Sequence, residues 1–115
     1  MRARLDQLVF DCLQPGSLAR FWAGLLGGAV VDRASGWSHT DAPGFPRLAF
    51  QPVGEPRLVK NRLHLDVEVD DIPTAAGTAV ALGAERVGEV VVDAKGAFQV
   101  MRDPEGNEFC LVSPP

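Results

Sequence analysis

The chain is poor in cysteine, with only Cys12 and Cys110 in 115 residues. Neither has a second cysteine at CxxC spacing, so a disulfide framework is excluded. No apolar run reaches membrane-spanning length, because Gly or polar residues break the longest candidates. The opening MRARLDQLVF lacks both the apolar stretch and the small-residue cleavage site of a signal peptide. The expectation is a soluble, cytoplasmic protein with no membrane partner. Excess positive charge is also missing: the formal net charge is −4, which argues against nucleic acid or an anionic surface as partner. No Gly-rich phosphate loop, P-loop or catalytic-triad spacing occurs.

What is present is an ordinary globular balance, 46% apolar and 23% charged. The length suits one domain with a real core and no covalent staples. The chain also says nearly the same thing twice. Residues 5–53 run LDQLVFDCL, GSLARFWAGLLGG, AVVDR and RLAFQPV; residues 62–113 run RLHLDVEVD, PTAAGTAVALGA, ERVGEVVV, AFQVMRD and NEFCLV. One such unit cannot close a core alone, whereas two side by side can. The expected organisation is one domain over 1–115, with a first module at about 3–57 and a second at about 61–113.

In the first half, strands are expected at Arg4–Leu13, Ala29–Arg33 and Arg47–Val53. Pro15 and Gly16 break the first strand, and a helix begins at Ser17. Leu18, Phe21, Trp22 and Leu25 form one apolar stripe on it. Ala34–Pro46 reads mostly as loop, with a short strand around Trp37. In the second half, strands are expected at Arg62–Val69, Glu85–Val92, Ala97–Arg102 and Glu108–Val112. A helix follows Asp71 as N-cap with Pro73 in its first turn. Asp103-Pro104-Glu105-Gly106 is a strong turn signal.

Strand side chains alternate faces, so parity sorts each strand. Leu8, Phe10 and Cys12 oppose Gln7, Val9 and Asp11. Leu48 and Phe50 oppose Arg47, Ala49 and Gln51. Leu63, Leu65, Val67 and Val69 oppose His64, Asp66 and Glu68. Phe109 and Leu111 oppose Glu108, Cys110 and Val112. The apolar sets should face the helices. The mixed sets then share the other face, either as a polar ligand-binding surface or as a solvated one.

NRLHLDVEVDD before a helix, GAERV, FQVMRDPEGNEFCLV, and the opening LDQLVFDC with SLARFWAGLLGG resemble the vicinal oxygen chelate superfamily. The nearest likeness is to its glyoxalase-like (glyoxalase/bleomycin resistance/dioxygenase) domains, and it spans essentially the whole chain. The resemblance implies an α+β fold of two βαβββ modules forming a U-shaped cup, usually as a homodimer. Members bind small organic ligands there. Many are metal enzymes; others bind a compound without metal.

Carried over position by position, the family's ligands fall on Gln7, His64 and Cys110, with the remaining carboxylate position at Arg47 or Gln51. Both carboxylates are therefore missing. A hard octahedral ion wants carboxylate oxygens, and Arg47 would oppose a cation. No cofactor is expected. If a metal binds, the candidates are Gln7, Gln51, His64 and Cys110, with Asp66 or Glu108 recruited from a neighbouring strand.

Catalytic candidates are His64, Asp66 and Glu108. His64 is either a general base tuned by a nearby carboxylate or a fixed hydrogen-bonding group. Cys110 is either a nucleophile activated by His64 or a small packed residue. Ligand-binding candidates are Gln7, Trp37, Arg47, Gln51 and Cys110, with Trp37, His39 and Phe45 on a closing loop. Three functions follow: a metal-independent protein that sequesters an aromatic or cationic compound, a lyase or isomerase using His64 in proton transfer with or without a metal, or a small regulatory or accessory domain without chemistry.

Overall fold

The protein is described by a computed structural model covering residues 1–2, 5–56, 63–94 and 96–115. It divides into two compact units, Met1–Pro56 and Arg57–Pro115. The first contains β1 (Leu8–Cys12), α1 (Pro15–Leu26), β2 (Ala29–Asp32), β3 (Ser38–Asp41) and β4 (Leu48–Pro52). The second contains β5 (Leu65–Glu68), α2 (Ile72–Ala81), β6 (Glu85–Asp93), β7 (Gly96–Arg102) and β8 (Glu108–Ser113). The two sheets repeat one topology, in the orders β1-β4-β3-β2 and β5-β8-β7-β6. In each, the first strand pairs parallel with the last, and the other pairs are antiparallel. The α+β class and the twofold βαβββ pattern are those the sequence implied.

The first core forms where the alternating face of β1 and β4 meets the stripe of α1. Leu18, Phe21, Trp22, Leu48 and Phe50 are buried. Phe10 ties the layers together, 6.0 Å from the Trp22 ring and 5.4 Å from that of Phe50. α1 begins two residues earlier than expected. Pro15 belongs to its first turn, with Gln14 at the N-cap, because the N–H that proline lacks has no intrahelical partner there anyway. The helix ends at Gly27 with φ 86°. The next residue must also be glycine, since a Cβ on Gly28 would stand 2.7 Å from Thr40 Oγ1 and 2.9 Å from the Asp41 carbonyl oxygen.

The short strand expected around Trp37 is β3, which begins one residue later and runs Ser38–Asp41. Ser38, His39 and Thr40 are all buried, yet none is apolar, so hydrophobic periodicity carries no signal for them. Their polar atoms find partners within the sheet. Ser38 Oγ donates to Asp32 Oδ1 at 2.7 Å, and Thr40 Oγ1 to the Ala29 carbonyl at 2.8 Å. His39 is thus a strand residue, not part of a closing loop. β1 is shorter than the Arg4–Leu13 expected, beginning at Leu8. Arg4 and Arg62, expected at strand starts, lie outside the described residues.

In the second unit, Val67, Ile72, Ala76, Ala79, Met101, Phe109 and Leu111 form the core. Asp71 caps α2 by accepting from the Thr74 N–H at 2.9 Å, as its position before Ile72-Pro73 predicted. The Asp103–Asn107 turn is held by a buried carboxylate. Asp103 Oδ1 accepts from the N–H groups of Glu105 and Asn107 at 3.0 and 2.9 Å. That turn sets the β7–β8 register and so places Cys110.

Candidate functional site

Both sheets leave one face uncovered by their helix, and each such face carries a polar cluster. In the second unit, parity turns Val67, Phe109 and Leu111 into the core, so Asp66, Glu68, Glu108, Cys110 and Val112 emerge opposite. Parallel pairing sets Asp66 beside Cys110 and Glu68 beside Val112. His64, just before β5, brings Nδ1 to 3.2 Å from Asp66 Oδ1. One donor atom each from His64, Asp66 and Cys110 lie within 4.8 Å of one another. His64 and Asp66 are roughly half-exposed, and the Cys110 thiol is in no disulfide. An open concavity of about 460 Å³ is lined by Glu68, Phe98 and Val112 of this face, together with Asp93, Pro114 and Pro115. Glu108 sits one register step from Cys110, opposite Arg102, and Arg102 donates to Glu85 at 3.2 Å.

In the first unit, register aligns Val9, Ala49, His39 and Val31 across the uncovered face. Around this row runs a chain of polar contacts. Arg33 Nε donates to His39 Nδ1 at 2.8 Å and Arg33 Nη2 to Gln7 Oε1 at 3.4 Å. Arg33 also lies over the Trp37 ring, 5.6 Å from its centroid. Arg47 donates through Nε and Nη2 to both oxygens of Asp41, at 2.9 and 3.0 Å. Those bonds hold the Asp41 carboxyl below its ordinary range. The buried His39 imidazole is pushed below 6.5, first by loss of solvent and then by the fields of Arg47 and Arg33. Its neutral form is the one that offers Nδ1 as an acceptor.

The sequence-derived candidates therefore separate into two sets. His64, Asp66 and Cys110 meet, with Glu108 beside them. Gln7 and Trp37 meet through Arg33, which parity alone did not single out. Arg47 is engaged by Asp41. Gln51 is half-buried on β4, opposite Asp11. A signal for Arg33 exists: the run Arg33-Ala34-Ser35-Gly36-Trp37 is a tight turn. The Arg33 N–H donates to the Trp37 carbonyl at 2.8 Å and Gly36 takes φ 93°, so positions 33 and 37 fall side by side.

The metal set implied by the family resemblance does not fit the first unit. The oxygen of Gln7 already accepts from a guanidinium, and Arg47 offers no ligand atom. A cation there would face two positive groups. His64, Cys110 and the recruited Asp66, all candidates from the sequence, do come together within the second unit, and their nitrogen, oxygen and sulfur donors suit Zn²⁺ better than a hard ion.

A family model described as a glyoxalase-like domain matches residues 7–112. Among solved structures, the chain is similar to a glyoxalase/bleomycin resistance protein/dioxygenase family enzyme from Burkholderia phytofirmans. The TM-score is 0.82 at 18% identity, covering 98% of this chain and 100% of that one. It is also similar to a glyoxalase-related enzyme from Fulvimarina pelagi (TM-score 0.75, 18% identity, 97% and 88% covered). A third similar structure is the fosfomycin resistance protein FosX from Listeria monocytogenes (TM-score 0.78, 13% identity, 100% and 96% covered). None of the curated proteins matches the chain. At these identities the solved structures speak for the fold alone.

Proposed function

From a chain that belongs to the glyoxalase-like domain family of the vicinal oxygen chelate superfamily, we propose a protein that binds a small organic molecule without that superfamily's complete metal set. The observation that supports this reading is the concavity of about 460 Å³ on the second unit. Its size is that of a small-molecule pocket, and Phe98 and Val112 supply the apolar wall such sites use. Glu68 and the neighbouring Asp66 supply polar handles of negative sign. The test is a compound panel read by thermal shift in the presence of a chelator. A binder should raise Tm with chelator present and lose that effect in Val112→Trp, which fills the concavity. Stabilisation that requires added metal, or that survives Val112→Trp, would overturn the reading.

A second reading is favoured by the His64–Asp66 contact. A carboxylate beside Nδ1 orients the ring and favours the tautomer that leaves Nε2 free to take a proton. The chain would then be a lyase or isomerase in which His64 transfers a proton. That reading requires His64→Ala to abolish turnover of glyoxalase- or epimerase-type substrates while leaving the fold intact. Turnover that persists in the variant sinks it.

A further inference from the structure

We infer that Arg33 is the anchor for the carboxylate of an organic acid, held ready on the first unit by His39, Gln7 and Trp37. The inference rests on the small-molecule reading above, but uses residues of the other unit and the opposite sign of charge.

Arginine recognises carboxylates through two parallel N–H bonds from one edge of its planar fork. A guanidinium has two such edges. In Arg33 the side edge is occupied, with Nε on His39 and Nη2 on Gln7. Both partners are neutral. Nη1, on the end edge, has no protein acceptor among the described residues, and Nη2 keeps one proton beyond the Gln7 bond. The cluster's own carboxylate, Asp41, feels the Arg33 charge and lies 3.7 Å from His39 Nε2, but its hydrogen bonds come from Arg47 and none from Arg33. Asp11, on the same face of β1, forms no ion pair with Arg33 either. A half-buried guanidinium whose hydrogen-bond partners are neutral is compensated only at a distance, by Asp41, and gains from a carboxylate in direct contact.

That charge is fixed in place. The turn through Gly36 sets Arg33 against Trp37, so the indole supports one side of the guanidinium plane. His39 is buried and biased towards its neutral form, so it accepts from Nε without cancelling the charge. Because β4 and β3 lie between β1 and β2, the contact from Gln7 to Arg33 runs across both strands. Beneath it, on β4 and β3, the row holds the fully buried Ala49 and the buried His39. The side chain is thus clamped on two bonds and a ring before any ligand arrives, which lowers the ordering cost of binding. Trp37, itself half-buried, adds a flat apolar wall. The ligand class is a carboxylate carried on a small apolar or aromatic body.

The test uses matched probes at constant ionic strength: benzoate, its neutral analogue benzamide, benzylammonium and inorganic phosphate. The readouts are the Arg33 Nε–H and Trp37 indole N–H resonances, which locate binding at this cluster. Benzoate should shift both saturably and bind at least about tenfold tighter than benzamide, as a charge-assisted pair does. Arg33→Gln should remove that preference, and Arg33→Lys, which keeps the charge but not the fork, should restore only part of it. Equal binding of benzoate and benzamide, tighter binding of benzylammonium or phosphate, or a preference that persists in Arg33→Gln would each overturn the inference. So would no saturable shift with any probe. In that case the small-molecule reading still stands if the compound panel finds a binder sensitive to Val112→Trp, so the two failures are distinguishable.

Discussion

Replacing Arg33 by Met and His39 by Phe, singly and together, tests whether the first unit's uncovered face is a coupled network. Arg33→Met removes the 2.8 Å bond to His39, the longer 3.4 Å bond to Gln7 and the contact with Trp37. A hydrogen bond from a charged donor contributes about 1.5–3 kcal/mol, and half-exposure of the guanidinium places this one near the lower end. The Trp37 contact adds about 0.5–1 kcal/mol. The single variant should therefore lose about 2–3 kcal/mol, much of it because His39 Nδ1 is left buried without a donor. In His39→Phe that stranded acceptor no longer exists. The double variant should then lose about 1–2 kcal/mol less than the sum of the singles. Urea unfolding followed by tryptophan fluorescence reads this unit directly, since Trp22 and Trp37 are the chain's two tryptophans and both lie in it. Acid adds a second check. The folded state depresses the His39 pKa, so the stability it confers is present above 6.5 and is lost as pH falls through the depressed value. Arg33 is one cause of that depression, behind burial and Arg47, and Asp41 opposes it. Arg33→Met should thus narrow its gap to the parent protein as pH falls. Additive losses within about 0.5 kcal/mol, or a gap that widens in acid, would refute the network.

Other outcomes follow from the same geometry. Asp71→Ala should cost the second unit about 1 kcal/mol by removing the cap on the Thr74 N–H; Asp71→Asn should cost less, read by urea unfolding followed by circular dichroism. Phe50→Ala should cost about 3–5 kcal/mol, because its fully buried ring supports Phe10 and the first core. A loss under about 1 kcal/mol would mean that the core collapses around the gap. Incubation with Mn²⁺, Ni²⁺ or Fe²⁺ and then gel filtration should leave no stoichiometric ion by elemental analysis, given Arg33 on Gln7 and Arg47 on Asp41. Stoichiometric Mn²⁺ or Ni²⁺ that persists in His64→Ala but disappears in Gln7→Ala would contradict that assignment.

The architecture is legible in the chain's local patterns. Alternation in LVFDC and LDVE, the stripe Leu18-Phe21-Trp22, the cap at Asp71 and the turn at Asp103-Pro104-Glu105-Gly106 are local signals. Each states which residues turn inward without reference to the rest of the chain, and the duplication states them twice. Parity in the sequence also placed His64, Asp66 and Cys110 on one face, and the parallel pairing of β5 with β8 in the structure sets Asp66 directly beside Cys110. A short strand near Trp37 was legible, but tertiary structure decided its bounds and which partners its neighbours take. Ser38, His39 and Thr40 are polar and buried, and what makes them a strand is the set of acceptors and donors supplied by Asp32, Ala29 and Arg33 from elsewhere in the fold. It likewise decided that Arg47 belongs to Asp41 while Arg33 hydrogen-bonds only to neutral partners. Both are arginines flanking strands; the turn through Gly36 sets Arg33 beside Trp37, but nothing in the sequence says which of the two arginines a carboxylate reaches. The difference lies in which carboxylate each long, flexible side chain can reach, and only three-dimensional proximity sets that.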